Sequence, residues 1–217
     1  MSQDDLHRSC VDCAVTRCDN HTSNRPHPAF CVSQGLTEDQ RQASLDQYLT
    51  DAEDRKLAQV AAGIESDGYR KWPRVKETIL FAKRMGYHKI GIATCVALIR
   101  ESRILAKMLR ANGFEVYGVA CKAGEIFKDA LDIPPDHQGP GPVACNPVLQ
   151  AQLLNEAGTD MNIVMGLCVG HDSLFYKHAQ AVTTTLVVKD RVLVHNPVMA
   201  LYTADGYYAD LMKPIEE

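Results

Sequence analysis

The chain has 217 residues, 46% of them hydrophobic and 23% charged, with a formal net charge of -4. That composition excludes an intrinsically disordered chain and suits one α/β domain with an appendage. The lack of a basic field speaks against nucleic acid as a partner. The opening MSQDDLHRSC has no apolar run of a secretory signal, and stretches such as GIATCVALI are too short to span a bilayer. A cytoplasmic protein without a membrane partner is expected, in a compartment where thiols stay reduced.

Residues 1 to 36 hold few large apolar side chains, too few to order the segment by burial alone. They do hold Cys10, Cys13, Cys18 and Cys31. Four thiols in so short a span read as metal ligands, and residues 1–36 are therefore expected to form a cysteine-rich metal or cluster module. The spacing matches neither ferredoxin order, so it does not give the cluster type; an iron–sulfur cluster is expected, with zinc as the alternative. His7, His21 and His27 lie nearby and are expected to be solvated, because four thiols already suffice.

Residues 37 to 87 read as a helical linker packed on the core. Thr37 and Gln40 form a capping box ahead of QRQASLDQYL. AEDRKLAQVAAGIES puts Leu57, Val60, Ala61 and Ile64 on one face, and a third helix runs from Pro73 to Gly86.

From residue 88 to 217 the pattern alternates. KIGIATC, EVYGVAC and MNIVMGLC read as buried strands; VALIRESRILAKMLRANG, NPVLQAQLLNEAG and HDSLFYKHA read as helices, with a short helix near GEIFKDAL. TTTLVVKDRVLVH reads as a strand, or as a hairpin turning at Lys189-Asp190. Such alternation predicts an α/β fold: a doubly wound, mainly parallel sheet of four or five strands, flavodoxin-like or Rossmann-like.

The remaining cysteines, Cys95, Cys121, Cys145 and Cys168, recur at similar intervals along this domain. Cys95, Cys121 and Cys168 are expected to close strands and Cys145 to open a helix. All four would then meet at the carboxyl edge of the sheet, where α/β folds place their ligands. A single strand-terminal cysteine is more often a small apolar residue; four at one edge suggest a cofactor. No Cys-x2-Cys knuckle pairs them, which favours an iron–sulfur cluster over structural zinc. His171 and Asp172, just past Cys168, are the candidate catalytic pair: a proton donor or further ligand, and the group that orients it. The competing reading makes Asp172 a helix cap and His171 a surface residue. Arg100 and Glu101 are expected on a solvated face, and Lys189, Asp190 and Arg191 in a polar turn. His195 is a weaker candidate for the same edge.

Nucleotide-binding glycine loops, G-x-S-x-G and H-E-x-x-H are absent. The N-terminal Cys-x2-Cys-x4-Cys, CNPVLQAQLLNEAGTDMNIVMGLCVGHDSLF and TTLVVKDRVLVHNP resemble a bacterial and archaeal family of unknown function labelled predicted metal-binding protein. The resemblance implies metal binding through the eight cysteines and His171, and supplies no reaction. The expectation is two 4Fe-4S clusters: an N-terminal electron relay, and one at the sheet edge acting on a small-molecule substrate in redox or lyase-type chemistry. A redox partner such as a ferredoxin would serve it. The alternatives are a zinc-stapled, non-redox binding module and a thiol redox sensor.

Overall fold

The computed structural model describes residues 8–20 and 24–215. Two compact units divide between Ala61 and Ala62.

In the first unit, α1 (Arg17–Asn20) and α2 (Val32–Gly35) are single turns, followed by α3 (Glu38–Thr50) and the first part of α4 (Ala52–Gly68). The capping box at α3 forms as the sequence predicts, with Thr37 Oγ1 accepting from Gln40 N–H and Gln40 Oε1 from Thr37 N–H. None of the described residues from 8 to 61 is buried. Apolar burial therefore contributes little to the order of this unit.

The second unit contains the end of α4, α5 (Arg74–Met85), β1 (Lys89–Thr94), α6 (Ile99–Ala111), β2 (Glu115–Ala120), α7 (Pro147–Glu156), β3 (Met161–Met165), α8 (His171–His178), β4 (Val182–Val187) and α9 (Val198–Tyr202). The four strands form an all-parallel sheet in the order β2-β1-β3-β4. Strand order reverses between β1 and β3. The period of two along each strand sorts side chains onto two faces. Ile90 and Ile92 join Met161, Ile163 and Met165 under α5 and α6, which contribute Ala82, Leu105 and Leu109. Ala93, Val119 and Val164 face the other way, into a cluster with Ala151 and Leu154 of α7 and Phe175 of α8. Cys95 and Cys121 fall in this second cluster.

Five sequence expectations shift. Pro73 is the N-cap of α5 rather than its first residue. Residues 96–98 make a 3-10 turn before α6 begins. β3 stops at Met165, so Cys168 lies in the following loop instead of closing the strand: Gly166 takes φ 68, where a Cβ would collide with Leu98. Cys145 precedes the N-cap Asn146 rather than opening the helix, because Asn146 Oδ1 accepts from Leu149 N–H and Pro147 occupies the first turn. The hairpin after β4 does not form either. The Asp190 carboxylate accepts from Val192 and Leu193 N–H at 2.9 and 2.7 Å, closing a turn. Val194 and His195 then take positive φ values of 52 and 62, which a returning strand cannot contain. Among the described residues, no helix is long and apolar enough to cross a membrane.

Candidate thiolate site at the sheet edge

The backbone ladder itself brings three of the thiols together. Cys95 N–H donates to Met165 O (3.1 Å), Cys121 N–H to Thr94 O (2.8 Å), and Asn146 N–H to Cys121 O (2.7 Å). The first residues past β1 and β2, and the residue before α7, are thus stitched side by side at the carboxyl edge. Cys121 and Cys145 Sγ lie 3.8 Å apart, and Cys95 also interacts with Cys121. Cys168 arrives from the loop after β3. Its carbonyl accepts the N–H groups of His171 and Asp172 at the start of α8. The His171 imidazole interacts with the Cys145 and Cys168 thiols, and its buried Nδ1 has no hydrogen-bond partner among the described residues. All eight cysteines are free.

Gln150, fully buried on α7, braces this edge. Its Nε2 donates to Thr94 O at 3.1 Å and to Val119 O at 2.7 Å, tying together the ends of the strands that carry Cys95 and Cys121. Sequence reasoning missed Gln150, along with Lys122, Lys189 and Arg191. Instead of standing in a solvated turn, Lys189 is buried against Cys95, and an Arg191 Nη donates to Cys168 Sγ at 3.0 Å. One signal was present: Lys189 and Arg191 follow β4 at the same edge where the neighbouring strands end in cysteines.

These contacts set the charges. Cys145 is pulled down to about 4, first by Cys121 and then by His171, with burial opposing and Lys122 assisting. Cys95 is lowered to about 5, chiefly by Cys121, against burial and with help from Ala97 N–H and Lys189. Cys121 is pushed up by Cys145, by Cys95 and by burial. Of these three thiols, Cys121 is thus the one biased toward keeping its proton, and Cys95 and Cys145 are biased toward the thiolate. His171 rises to about 8 on its contact with Cys145, against burial and with Cys168 assisting. The edge is a run of sulfur donors with one imidazole, faced by cations.

The other candidates fall elsewhere. Asp172 accepts from Ser173 N–H at 2.8 Å, the role of a carboxylate at a helix start, and among the described residues its side chain makes no hydrogen bond or ion pair with the His171 ring. His195 Nδ1 accepts from Asp190 N–H at 3.1 Å, which uses its ring to close the 190–195 loop. Arg100 and Glu101 are exposed.

In the first unit, Cys10, Cys13, Cys18 and Cys31 line one cavity of about 110 Å³. Cys13 N–H donates to Cys10 O (3.1 Å), and an Arg8 Nη donates to Ala29 O and Cys31 O (3.3 and 3.1 Å). His27 lines the same cavity with Nδ1 3.6 Å from Cys31 Sγ, so it is not the solvated residue expected. His7 and His21 lie outside the described residues. Among the described residues, no three or more His, Cys, Asp or Glu side chains are grouped as a single metal ion needs. Thiolates on a four-iron cluster do not share that constraint, since there each takes a different iron.

The model of a protein of unknown function, DUF1847, matches residues 31–186. The chain belongs to this family. The matched segment holds all four edge cysteines and His171, and from the N-terminal set only Cys31. The chain is also 48% identical over 166 residues to the uncharacterised protein MJ0455 of Methanocaldococcus jannaschii, covering 76% of this chain and 85% of that one.

Proposed function

We propose that the sheet edge carries an iron–sulfur cluster held by Cys95, Cys121, Cys145 and Cys168, with a second held by Cys10, Cys13, Cys18 and Cys31. One observation carries the reading: four thiols far apart in sequence are brought to the carboxyl edge of a parallel sheet, Cys121 and Cys145 at 3.8 Å, with Cys95 interacting with Cys121 and His171 with Cys145 and Cys168. The donor set fits a cluster, which takes thiolates, better than a single zinc ion, which needs them around one point. We read the order β2-β1-β3-β4 as flavodoxin-like, with the edge set near the switch between β1 and β3 where ligands bind in that class. Eight free thiols accord with a reducing, cytoplasmic setting.

A bound cluster would supply electron transfer, or Lewis acidity toward a small molecule. The chain's own residues then have separate tasks. Lys189 and Arg191 balance the thiolate charge, Gln150 holds the two strand ends in register, and His171 keeps a proton beside Cys145 and Cys168. The N-terminal quartet would relay electrons from a partner such as a ferredoxin; zinc remains its alternative occupant.

Anaerobic purification tests this. Iron and sulfide should copurify with a brown visible spectrum, and Cys168→Ser should remove about half of the iron while Cys13→Ser removes the other share. A colourless protein with zinc, or with no metal, would end the cluster reading. The 3.8 Å separation of Cys121 and Cys145 favours a second reading in the metal-free case, a redox dithiol. Oxidation would form one S–S bond as the pair gives two electrons to an oxidant such as peroxide, which is reduced to water, and the one proton held by Cys121 is released to it. Peptide mapping of the oxidised protein should then find a Cys121–Cys145 link.

A further inference from the structure

On the sheet face away from Cys95 and Cys121, β2 turns Val116, Gly118 and Ala120 toward α6, and two of these three carry no more than a methyl group. A groove of about 470 Å³ remains between α6 and the outer strand, within the range of small-molecule sites. The backbone does not demand the glycine. A Cβ at Gly118 would meet nothing nearer than Ile92 O at 3.8 Å, so the space beside it is open.

The groove has a definite chemistry. Arg103, Lys107 and Arg110 recur at helical spacing along one wall, and no Asp or Glu lines it. Arg103 and Lys107 make no ion pair or hydrogen bond with the described residues, while an Arg110 Nη reaches Val116 O at 3.3 Å. The floor is aliphatic, with Ile92, Ile99 and Val116 and no aromatic ring on which a nucleobase could stack. At the end nearest Thr94, the buried hydroxyls of Thr94 and Ser102 pair at 2.6 Å. We propose that this groove binds a small aliphatic carboxylate, its chain on Ile92 and Val116 and its carboxylate paired with Arg103 and Lys107. Cations without acidic neighbours select the charge, and an aliphatic concavity without rings selects the body. The proposal is independent of the thiols.

Decanoate titrated into the full chain, followed by methyl NMR and calorimetry, tests it. Saturable binding of one decanoate per chain is expected, with shifts at Ile92, Ile99 and Val116. Decanol should bind at least tenfold more weakly, and decyltrimethylammonium should not saturate. Gly118→Val should fill the groove and lower the decanoate affinity at least tenfold, with an unchanged circular dichroism spectrum. Arg103→Gln combined with Lys107→Gln should do the same without filling it. Equal affinity for decanoate and decyltrimethylammonium would overturn the proposal, as would undiminished binding to Gly118→Val. Binding of an acidic amphipathic peptide in place of decanoate would assign the groove to a protein partner instead.

Discussion

The two cysteine quartets are built in opposite ways. In the second unit the fold makes the site: β1 and β2 deliver Cys95 and Cys121, α7 and α8 flank Cys145 and Cys168, and fully buried residues such as Ile163, Leu154 and Phe175 hold the frame. In the first unit none of the described residues is buried, and the cavity is enclosed by single helical turns and by Arg8 and Arg17 reaching backbone carbonyls. A frame that exists before any ligand can tune thiol charge by position. A segment with little apolar burial takes its stability from whatever its thiols bind.

Removing metal is the largest test of that contrast. Chelation should abolish protease protection between residues 8 and 36 altogether, whereas residues 62–215 should keep their parallel-sheet circular dichroism and their cooperative urea transition. Equal loss in both units would mean that the second site is not preformed.

Phe175→Ala should break the second unit by its core alone. Phe175 is fully buried between α8 and the sheet, and its truncation should cost about 3–5 kcal/mol in urea unfolding. The shape of the N-terminal thiol reaction with a maleimide should be unaffected.

Asp160 sharpens the comparison through pH. Its carboxylate accepts the N–H groups of His88 (2.7 Å) and Lys89 (2.8 Å) where β1 begins. Burial raises its pKa, yet these two N–H groups, aided by the charges of His88 and Lys89, hold the carboxyl below the usual range. A folded value below the unfolded one makes its stabilisation complete above roughly pH 4, and lost as pH falls toward the folded value. Asp160→Asn should cost about 1–2 kcal/mol at neutral pH. It should also flatten the acid side of the second unit's stability profile, as read by urea titrations across pH. An unchanged acid limb would show that the carboxylate contributes nothing.

Thr37→Ala should have the smallest effect. Losing the capping box should cost α3 about 1 kcal/mol, visible as faster amide exchange over residues 38–42 and as no change in the second unit.

Much of the second unit was legible because its signals are local. Short apolar runs marked β1, β2 and β3, and apolar spacing marked α6 and α7; in the first unit Thr37–Gln40 marked the start of α3. The positions of Lys189, Arg191 and Gln150 were not legible. A lysine in a Lys-Asp-Arg run reads as solvated, and only the neighbouring strand ends reveal that Lys189 is buried against Cys95. His27 was misjudged for a related reason: its 3.6 Å approach to Cys31 depends on how the loop closes, which spacing alone does not dictate.

The sequence by itself determined the strand and helix periods, and with them an α/β domain carrying four cysteines spaced by roughly one strand and one helix. Those properties follow from nearest-neighbour sterics and from the two periodicities of the backbone. Only the tertiary structure decided which thiols touch, which keep a proton and which cations face them, and it alone opened the groove beside Gly118. Contacts of that kind depend on the order β2-β1-β3-β4 and on the register of adjacent strands, and no local stretch of chain encodes either one.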